Sequence, residues 1–405
     1  MPIDDQLQGR AKLYSIAQVV MSSLGLLISF VVSFIFFVMA FMGLAGDPQS
    51  VQQNSTIMVI AWASLLFGLL FSPGLFYSFL RLQRKKIPVI PDRWNKRISV
   101  LLIIIWLLSL IITLISSNWS WTSFLNAVFV VPLVTIPLFF LIKIGSHQLS
   151  IGSPNRTWGI VSFNFFVTMP FILIVEVLVF ILVLLVIGVW LLNQPELFQQ
   201  IIQYSEQLSR GQLEPQIAEE LLIKLFKNPA VLNGSIFIIA FLVPLIEEFF
   251  KPMALWFLAG RKLTPSQGFV GGLIAGACFA TLETLGAIGS PSDTSWFFLL
   301  IGRMGTGLLH VTLSGLVGWG LASAFYNRNW GRFLGNYFSA VLIHGLWNLF
   351  ALLSGITPLL PFSDEIGNLP IILSQLGPFV LLSLALLNIG ILLQSNRKLQ
   401  KQSNN

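Results

Sequence analysis

The chain has 405 residues, of which 23 are Lys or Arg and 16 Asp or Glu, so charged side chains make up 10% of it, against about 25% in a soluble globular protein. With 55% hydrophobic residues, 35 Phe and 12 Trp among them, an ordinary soluble enzyme is excluded and a polytopic membrane protein is expected. The net charge of +7 sits mainly between the apolar runs, where it orients a membrane protein and gives no reason to expect nucleic acid as a partner; the single cysteine, Cys278, excludes an intramolecular disulfide and a thiolate metal cage.

In chain order, runs long enough to cross a bilayer fall near residues 17–45, 56–80, 98–116, 122–142 and 163–193, then 231–259, 265–289, 295–326, 333–355 and 370–394. The first far exceeds the roughly 7–15 residues of a signal-peptide core, so it is expected to remain as a span. The loops test this division, because loops on the cytoplasmic side carry an excess of Lys and Arg. Eighteen of the 23 basic residues alternate onto one side: Arg10 and Lys12, the loop from Arg81 to Arg97, Lys143 and Arg156, Arg261 and Lys262, Arg328 and Arg332, and the tail Arg397, Lys398 and Lys401. The other side holds Asp47, the uncharged stretch Ser117 to Trp121, Asp293, Asp364 and Glu365, and an acidic segment over about 194–230. An all-α bundle of ten transmembrane helices follows, multi-pass in the cytoplasmic (plasma) membrane with both termini cytoplasmic. Within the acidic segment, Leu197, Ile201, Ile202 and Leu208, and then Ile217, Leu221, Leu222 and Leu225, recur at helical spacing. Two short amphipathic helices capping the membrane surface are expected there. The Gln/Asn/Ser-rich tail after Gln394 reads as a disordered end, and no internal repeat is visible.

Six charges remain inside the apparent spans: Glu176, Glu247, Glu248, Lys251, Glu283 and Arg303. Each costs at least about 2.5–3.5 kcal/mol at the centre of a lipid-facing helix, so they are expected to face the bundle interior and to have partners. Glu176 is expected to pair with Arg303 or Lys251, and Lys251 to neutralise the glutamate pair. His310 and His344 lie within spans as well. At about 1.5 Å per residue, Glu247, Glu248, Glu283, His310 and His344 fall in a band roughly 17–27 Å above the cytoplasmic boundary, a common mid-membrane polar layer. Residues four apart share a helix face, which joins Glu247 with Lys251, His310 with Ser314 and His344 with Asn348. Pro244 and Pro252 flank the paired glutamates and each removes a backbone donor, so a kink or an opened carbonyl is expected beside them. Gly271, Gly272 and Gly276, and Gly302, Gly305 and Gly307, are expected to let two helices approach closely. Ser314 reads as a packing hydroxyl and Cys278 as a small core residue.

Adjacent glutamates, two histidines and an asparagine contain the parts of a water-activating hydrolytic site. Burial makes a carboxylate a stronger base, and imidazole or amide donors stabilise an oxyanion. Alternatively, two histidines and a glutamate hold a zinc ion with one position open for water. The helical zinc signature His-Glu-x-x-His is absent, so ligands would come from separate helices.

Glu247-Glu248-Phe249-Phe250-Lys251 resembles the Glu-Glu-x-x-Lys motif of the PrsW family of intramembrane proteases, relatives of the type II CAAX-prenyl endopeptidases and bacteriocin-processing enzymes. Phe279 to Thr284 is similar to the family's Phe-x-x-x-Glu-Asn, His310 follows in the next helix, and His344-Gly345-Leu346-Trp347-Asn348 resembles His-x-x-x-Asn. The resemblance covers roughly residues 235–355. It implies proteolysis of membrane-embedded or membrane-adjacent proteins, such as an anti-sigma factor or another single-span protein. By it the site comprises Glu247, Glu248, Glu283, His310, His344 and Asn348, supported by Lys251 and Arg303. Glu247 and Glu248 serve water activation or metal binding, and the histidines bind metal or stabilise an oxyanion with Asn348. If a Zn2+ is used, Glu248, Glu283, His310 and His344 are its ligands; a metal-independent glutamate mechanism stays open. Thr284 stands where the family has Asn, and Glu283 where the prenyl-processing relatives have His, which argues against prenyl-protein processing. The chain then divides into accessory helices (1–160), the fifth span with the acidic segment (161–230), a PrsW-like helical core (231–356) and a last span with its tail (357–405). A proton- or ion-coupled transporter and a non-catalytic, protease-like scaffold or immunity protein are the alternatives.

Overall fold

The computed structural model describes residues 3–44, 51–86, 92–116, 123–150, 152–209, 229–259, 263–288, 296–356 and 369–404. Among the described residues there are helices and no strands. In chain order they are α1 (Ile3–Leu44), α2 (Val51–Leu82), α3 (Asp92–Ser116), α4 (Ser123–Gly145), α5 (Pro154–Phe163), α6 (Met169–Leu191), α7 (Pro195–Ser209), α8 (Pro229–Phe237), α9 (Val243–Phe250), α10 (Met253–Ala259), α11 (Pro265–Ile288), α12 (Trp296–Tyr326), α13 (Trp330–Ile356) and α14 (Leu369–Asn404). Short π-turns, Asn164–Thr168 and Ile238–Leu242, join α5 to α6 and α8 to α9. Ten stretches are long and apolar enough to cross a membrane, from Lys12–Gly43 to Ile372–Gln402, so the chain is a multi-pass integral membrane protein.

Both π-turns have the same local cause. Met169 N–H bonds to Asn164 O and Val243 N–H to Ile238 O, each one residue further back than in an α-helix, and in each case the next residue is a proline, Pro170 or Pro244. A proline ring clashes with the carbonyl four residues earlier and offers no donor. The wider turn moves that carbonyl away. Pro252 has a sharper effect: the expected sixth span, 231–259, is broken at Lys251–Pro252 between α9 and α10.

The expected disordered tail is corrected. α14 continues to Asn404, and its polar residues are used in place: Asn396 Nδ2 donates to Gly145 O (2.8 Å) and His147 O (2.9 Å), and Gln400 Nε2 donates to His147 O (2.8 Å). These amides cap the carbonyls left over at the end of α4, which stabilises a helical segment whose composition alone favours disorder. Of the two expected amphipathic helices, the first is α7, and the second, around 217–225, lies outside the described residues.

The chain folds as two compact units, neither contiguous in sequence: residues 1–169, 251–337 and 388–405 form one, residues 170–250 and 338–387 the other. In the first unit, α1, α2 and α5 meet through small and polar residues. Ser22 and Ser162 share a hydrogen bond (3.0 Å), Gln18 Nε2 donates to Gly74 O (3.2 Å), and Gly74 lies directly against both hydroxyls. In lipid, such close approach and hydrogen bonding replace the hydrophobic drive that packs helices in water.

The core of this unit is the antiparallel pair α11 and α12, whose spanning windows are 89% and 94% buried, against 17% for the first span. Gly268, Gly272 and Gly276 recur every fourth residue along α11. A Cβ on them would overlap, in turn, the carbonyl oxygens of Gly318, Ser314 and His310 on α12. The two backbones therefore touch, each step of four up α11 matched by a step of four back along α12. Among the glycines expected to make this contact, Gly272 and Gly276 do; Gly271 packs on Leu255, Gly307 on Leu138 of α4, and Gly302 has nothing within 4 Å. Gly145 at the end of α4 receives Leu273 and Leu392, so α4 packs directly on the helices of this core.

In the second unit, α13 crosses the π-turn before α9. Gly345 lies directly against Ala240 O, and Gly377 of α14 against the Ser354 hydroxyl. Pro244, Glu247 and Glu248 form the buried face of α9.

Candidate active site

Each unit carries its own buried cluster of ionisable groups. In the second unit, α9 presents the paired glutamates to His344 of α13. His344 Nδ1 lies 3.0 Å from Glu248 Oε1, and Nε2 lies 3.9 Å from Glu247 Oε2. With Glu248 as acceptor, the ring proton is on Nδ1 and the Nε2 lone pair faces Glu247, at a separation too long for a direct hydrogen bond. Glu248 and His344 are almost completely removed from solvent, and Glu247 nearly so.

Asn348, one turn beyond His344 on the same face, donates from Nδ2 to Ile239 O (3.0 Å). The π-turn explains why that carbonyl is open. Val243 N–H has passed to Ile238 O, and Pro244 has no N–H to give. A kink or an opened carbonyl was expected beside the prolines; the structure adds which carbonyl opens before Pro244 and which side chain closes it. Asn348→Leu is expected to lower stability by about 1–2 kcal/mol, read as an earlier midpoint of SDS-driven unfolding in mixed micelles. An unchanged midpoint would remove this account of Asn348.

In the first unit, Lys251 follows the end of α9 and is fully buried. Its Nζ donates to His310 Nδ1 (2.8 Å), and His310 Nε2–H donates to Glu283 Oε2 (2.7 Å). An ammonium has only donors, so this bond places the His310 proton on Nε2. Arg303 Nη2 forms an ion pair with the same Glu283 oxygen at 3.1 Å. Phe279 completes the cluster, with Lys251 Nζ 4.2 Å above its ring and a T-shaped contact with the His310 imidazole at 4.9 Å between centroids. The antiparallel register of α11 and α12 positions these residues: carried two turns past the Gly276–His310 contact, it brings Glu283 opposite Arg303.

The expected site residues thus divide, Glu247, Glu248, His344 and Asn348 in one unit and Lys251, Glu283, Arg303 and His310 in the other. Arg303 pairs with Glu283, and Lys251 bonds to His310. Ser314 serves α11 packing through its carbonyl beneath Gly272. Phe279 was not singled out as a site residue. Its signal was present, since it stands four residues before Glu283 and shares its helix face.

Buried clusters of carboxylates and imidazoles in an all-helical membrane protein have the groups that hydrolytic chemistry uses. Residues 215–374 match the family described as PrsW family intramembrane metalloprotease, so the chain carries a PrsW-family peptidase domain and is an intramembrane peptidase. Neither the curated proteins nor the solved structures include a match to the chain.

Donor chemistry in the second unit fits a metal. The ligand atoms of Glu247, Glu248 and His344 lie within 4.8 Å of one another and all three residues are buried, and carboxylate oxygen with imidazole nitrogen is a set that zinc accepts.

Proposed function

We propose that the protein is an endopeptidase that hydrolyses peptide bonds of membrane-embedded or membrane-adjacent proteins, with Glu247 as general base. The observation that supports this most directly is the order Glu248–His344–Glu247: a buried carboxylate holds one imidazole nitrogen at 3.0 Å, and the other nitrogen lies 3.9 Å from a second buried carboxylate. Glu247 takes a proton from water as the water oxygen attacks the scissile carbonyl, then returns it to the leaving nitrogen as the C–N bond breaks. Glu248 holds His344 in one tautomer and orientation. In this reading Asn348 is a positioning residue, because its amide is committed to Ile239 O and keeps α9 seated on α13.

If a zinc ion is used, it supplies Lewis acidity toward water and the scissile carbonyl. Glu248 and His344, both in the second unit, would hold it. Glu283 already accepts the Nε2–H of His310, so it is assigned here to orienting that ring. The sequence resemblance supports single-span membrane proteins, anti-sigma factors among them, as substrates. The loop charges support both termini on the cytoplasmic face of the plasma membrane.

The test is purified protein in vesicles with a single-span membrane protein as substrate. Cleavage independent of any solute gradient is the expected result; pH-dependent solute flux without cleavage would replace this reading with transport. Elemental analysis of the same preparations is expected to find about one zinc per chain, lost in His344→Ala, and chelation to stop cleavage. Cleavage by metal-free protein would remove the zinc and leave the glutamates as the whole water-activating apparatus.

A further inference from the structure

A second polar site lies away from these clusters, where the ends of α4 and α14 meet. A recess of about 530 Å³ is lined by Phe140, Lys143, Ile144, His147, Leu393, Asn396, Arg397 and Gln400, within the roughly 300–1,000 Å³ usual for small-molecule sites. Its polar rim holds Lys143, His147 and Arg397, all exposed. Neither α4 nor α14 contains an acidic residue, and among the described residues no carboxylate pairs with these three. Lys143 Nζ donates to the Ser99 hydroxyl, which leaves its charge intact.

The end of a helix normally attracts nearby cations to its spare carbonyls. Here that role is taken by neutral amides, since Asn396 and Gln400 cap Gly145 O and His147 O. The cations are therefore available to something else. Below them the wall is Phe140, Ile144 and Leu393, continuous with exposed apolar residues that face the bilayer along both helices, such as Phe139, Leu386 and Ile389.

A positive rim above an apolar wall at the end of two spans has the polarity of an anionic phospholipid. We propose that this recess binds one, with its headgroup phosphate between Lys143 and Arg397 and its acyl chains along Phe140, Ile144 and Leu393. A free anion would use the rim and leave the apolar wall unexplained, so the lipid is the occupant that fits the whole surface. The site is independent of the proposed peptidase chemistry, and it gives α14 a role in fastening the α4 end to the bilayer.

The full chain in detergent, titrated with phosphatidylglycerol or with phosphatidylcholine, tests this through its thermal midpoint and through native mass spectrometry of the retained lipid. Phosphatidylglycerol is expected to raise the midpoint by several degrees and to stay bound at one molecule per chain, and phosphatidylcholine to do neither. Lys143→Gln/Arg397→Gln is expected to weaken retention at least tenfold, and Lys85→Gln/Lys86→Gln, on exposed residues elsewhere, to leave it unchanged. Equal retention of the two lipids by the wild type would overturn the proposal whether or not the variants fold. So would wild-type retention by Lys143→Gln/Arg397→Gln, or displacement of phosphatidylglycerol by equimolar inorganic phosphate, which would make the occupant a free anion.

Discussion

Glu247→Gln is expected to lower peptide-bond cleavage by about 10²–10⁴-fold while the amount of folded protein stays the same. The amide has the size of the carboxylate and cannot accept a proton. His344 lies farther from Glu247, at 3.9 Å, than from Glu248, at 3.0 Å. Glu248→Gln is therefore expected to disturb both the orientation of His344 and the stability of the α9–α13 contact. Cleavage rate and thermal midpoint, measured on the same purified variants, separate the two roles. Glu247→Gln protein that cleaves within a few fold of wild type would show that the base is another residue.

Gly276→Val and Gly272→Val are expected to have the largest effect on folding, about 1–3 kcal/mol each by the usual cost of overpacking and more when combined. The atoms in the way are main-chain, the His310 and Ser314 carbonyls and the Cα atoms of Val311 and Gly315, and they cannot turn aside as a flexible side chain does. α11 and α12 must separate, and with them Glu283 from His310 and Arg303. Loss of activity should thus accompany an earlier unfolding midpoint. Gly302→Val is the control, since a Cβ there meets nothing within 4 Å and no change in midpoint is expected. If Gly276→Val unfolds at the wild-type midpoint, the backbone contact is not what holds the pair together.

The spans were legible because lipid leaves the chain little choice: a run of apolar residues long enough to cross must satisfy its own backbone, and only a helix does so within one segment. Ten expected spans correspond to ten observed ones. The open carbonyl near Pro244 was legible for a similar reason, since the missing N–H is written in the residue type; the full break at Pro252, inside an expected continuous span, was not. What hydropathy does not record is which helix meets which. The pairing of Glu283 with Arg303 depends on a register set by Gly268, Gly272 and Gly276, and the tail after Gln394 is held as a helix by carbonyls 251 and 249 residues away at the end of α4. The paired glutamates, His310, His344 and Asn348 stood out because ionisable and amide groups are rare in spans. Their hydrogen bonds did not, because the sequence shows that such groups need partners without showing where the partners are.

The π-turn before α9 also sets a constraint on chain length. A π-turn is one residue more than an α-helix needs for the same rise, and a single residue turns an α-helix by about 100°. A chain shortened by one residue within Ile238–Leu242 would bring the Pro244 ring against the preceding turn, and Glu247 and Glu248, turned by about 100°, would point to a different side of α9, so that His344 would lose both. Point substitutions in this apolar stretch are absorbed by lipid or by packing; a one-residue deletion is a rotation, felt only by the residues downstream. The wide turn is thus a phase-setting element, and its residue count matters more than the identity of its side chains.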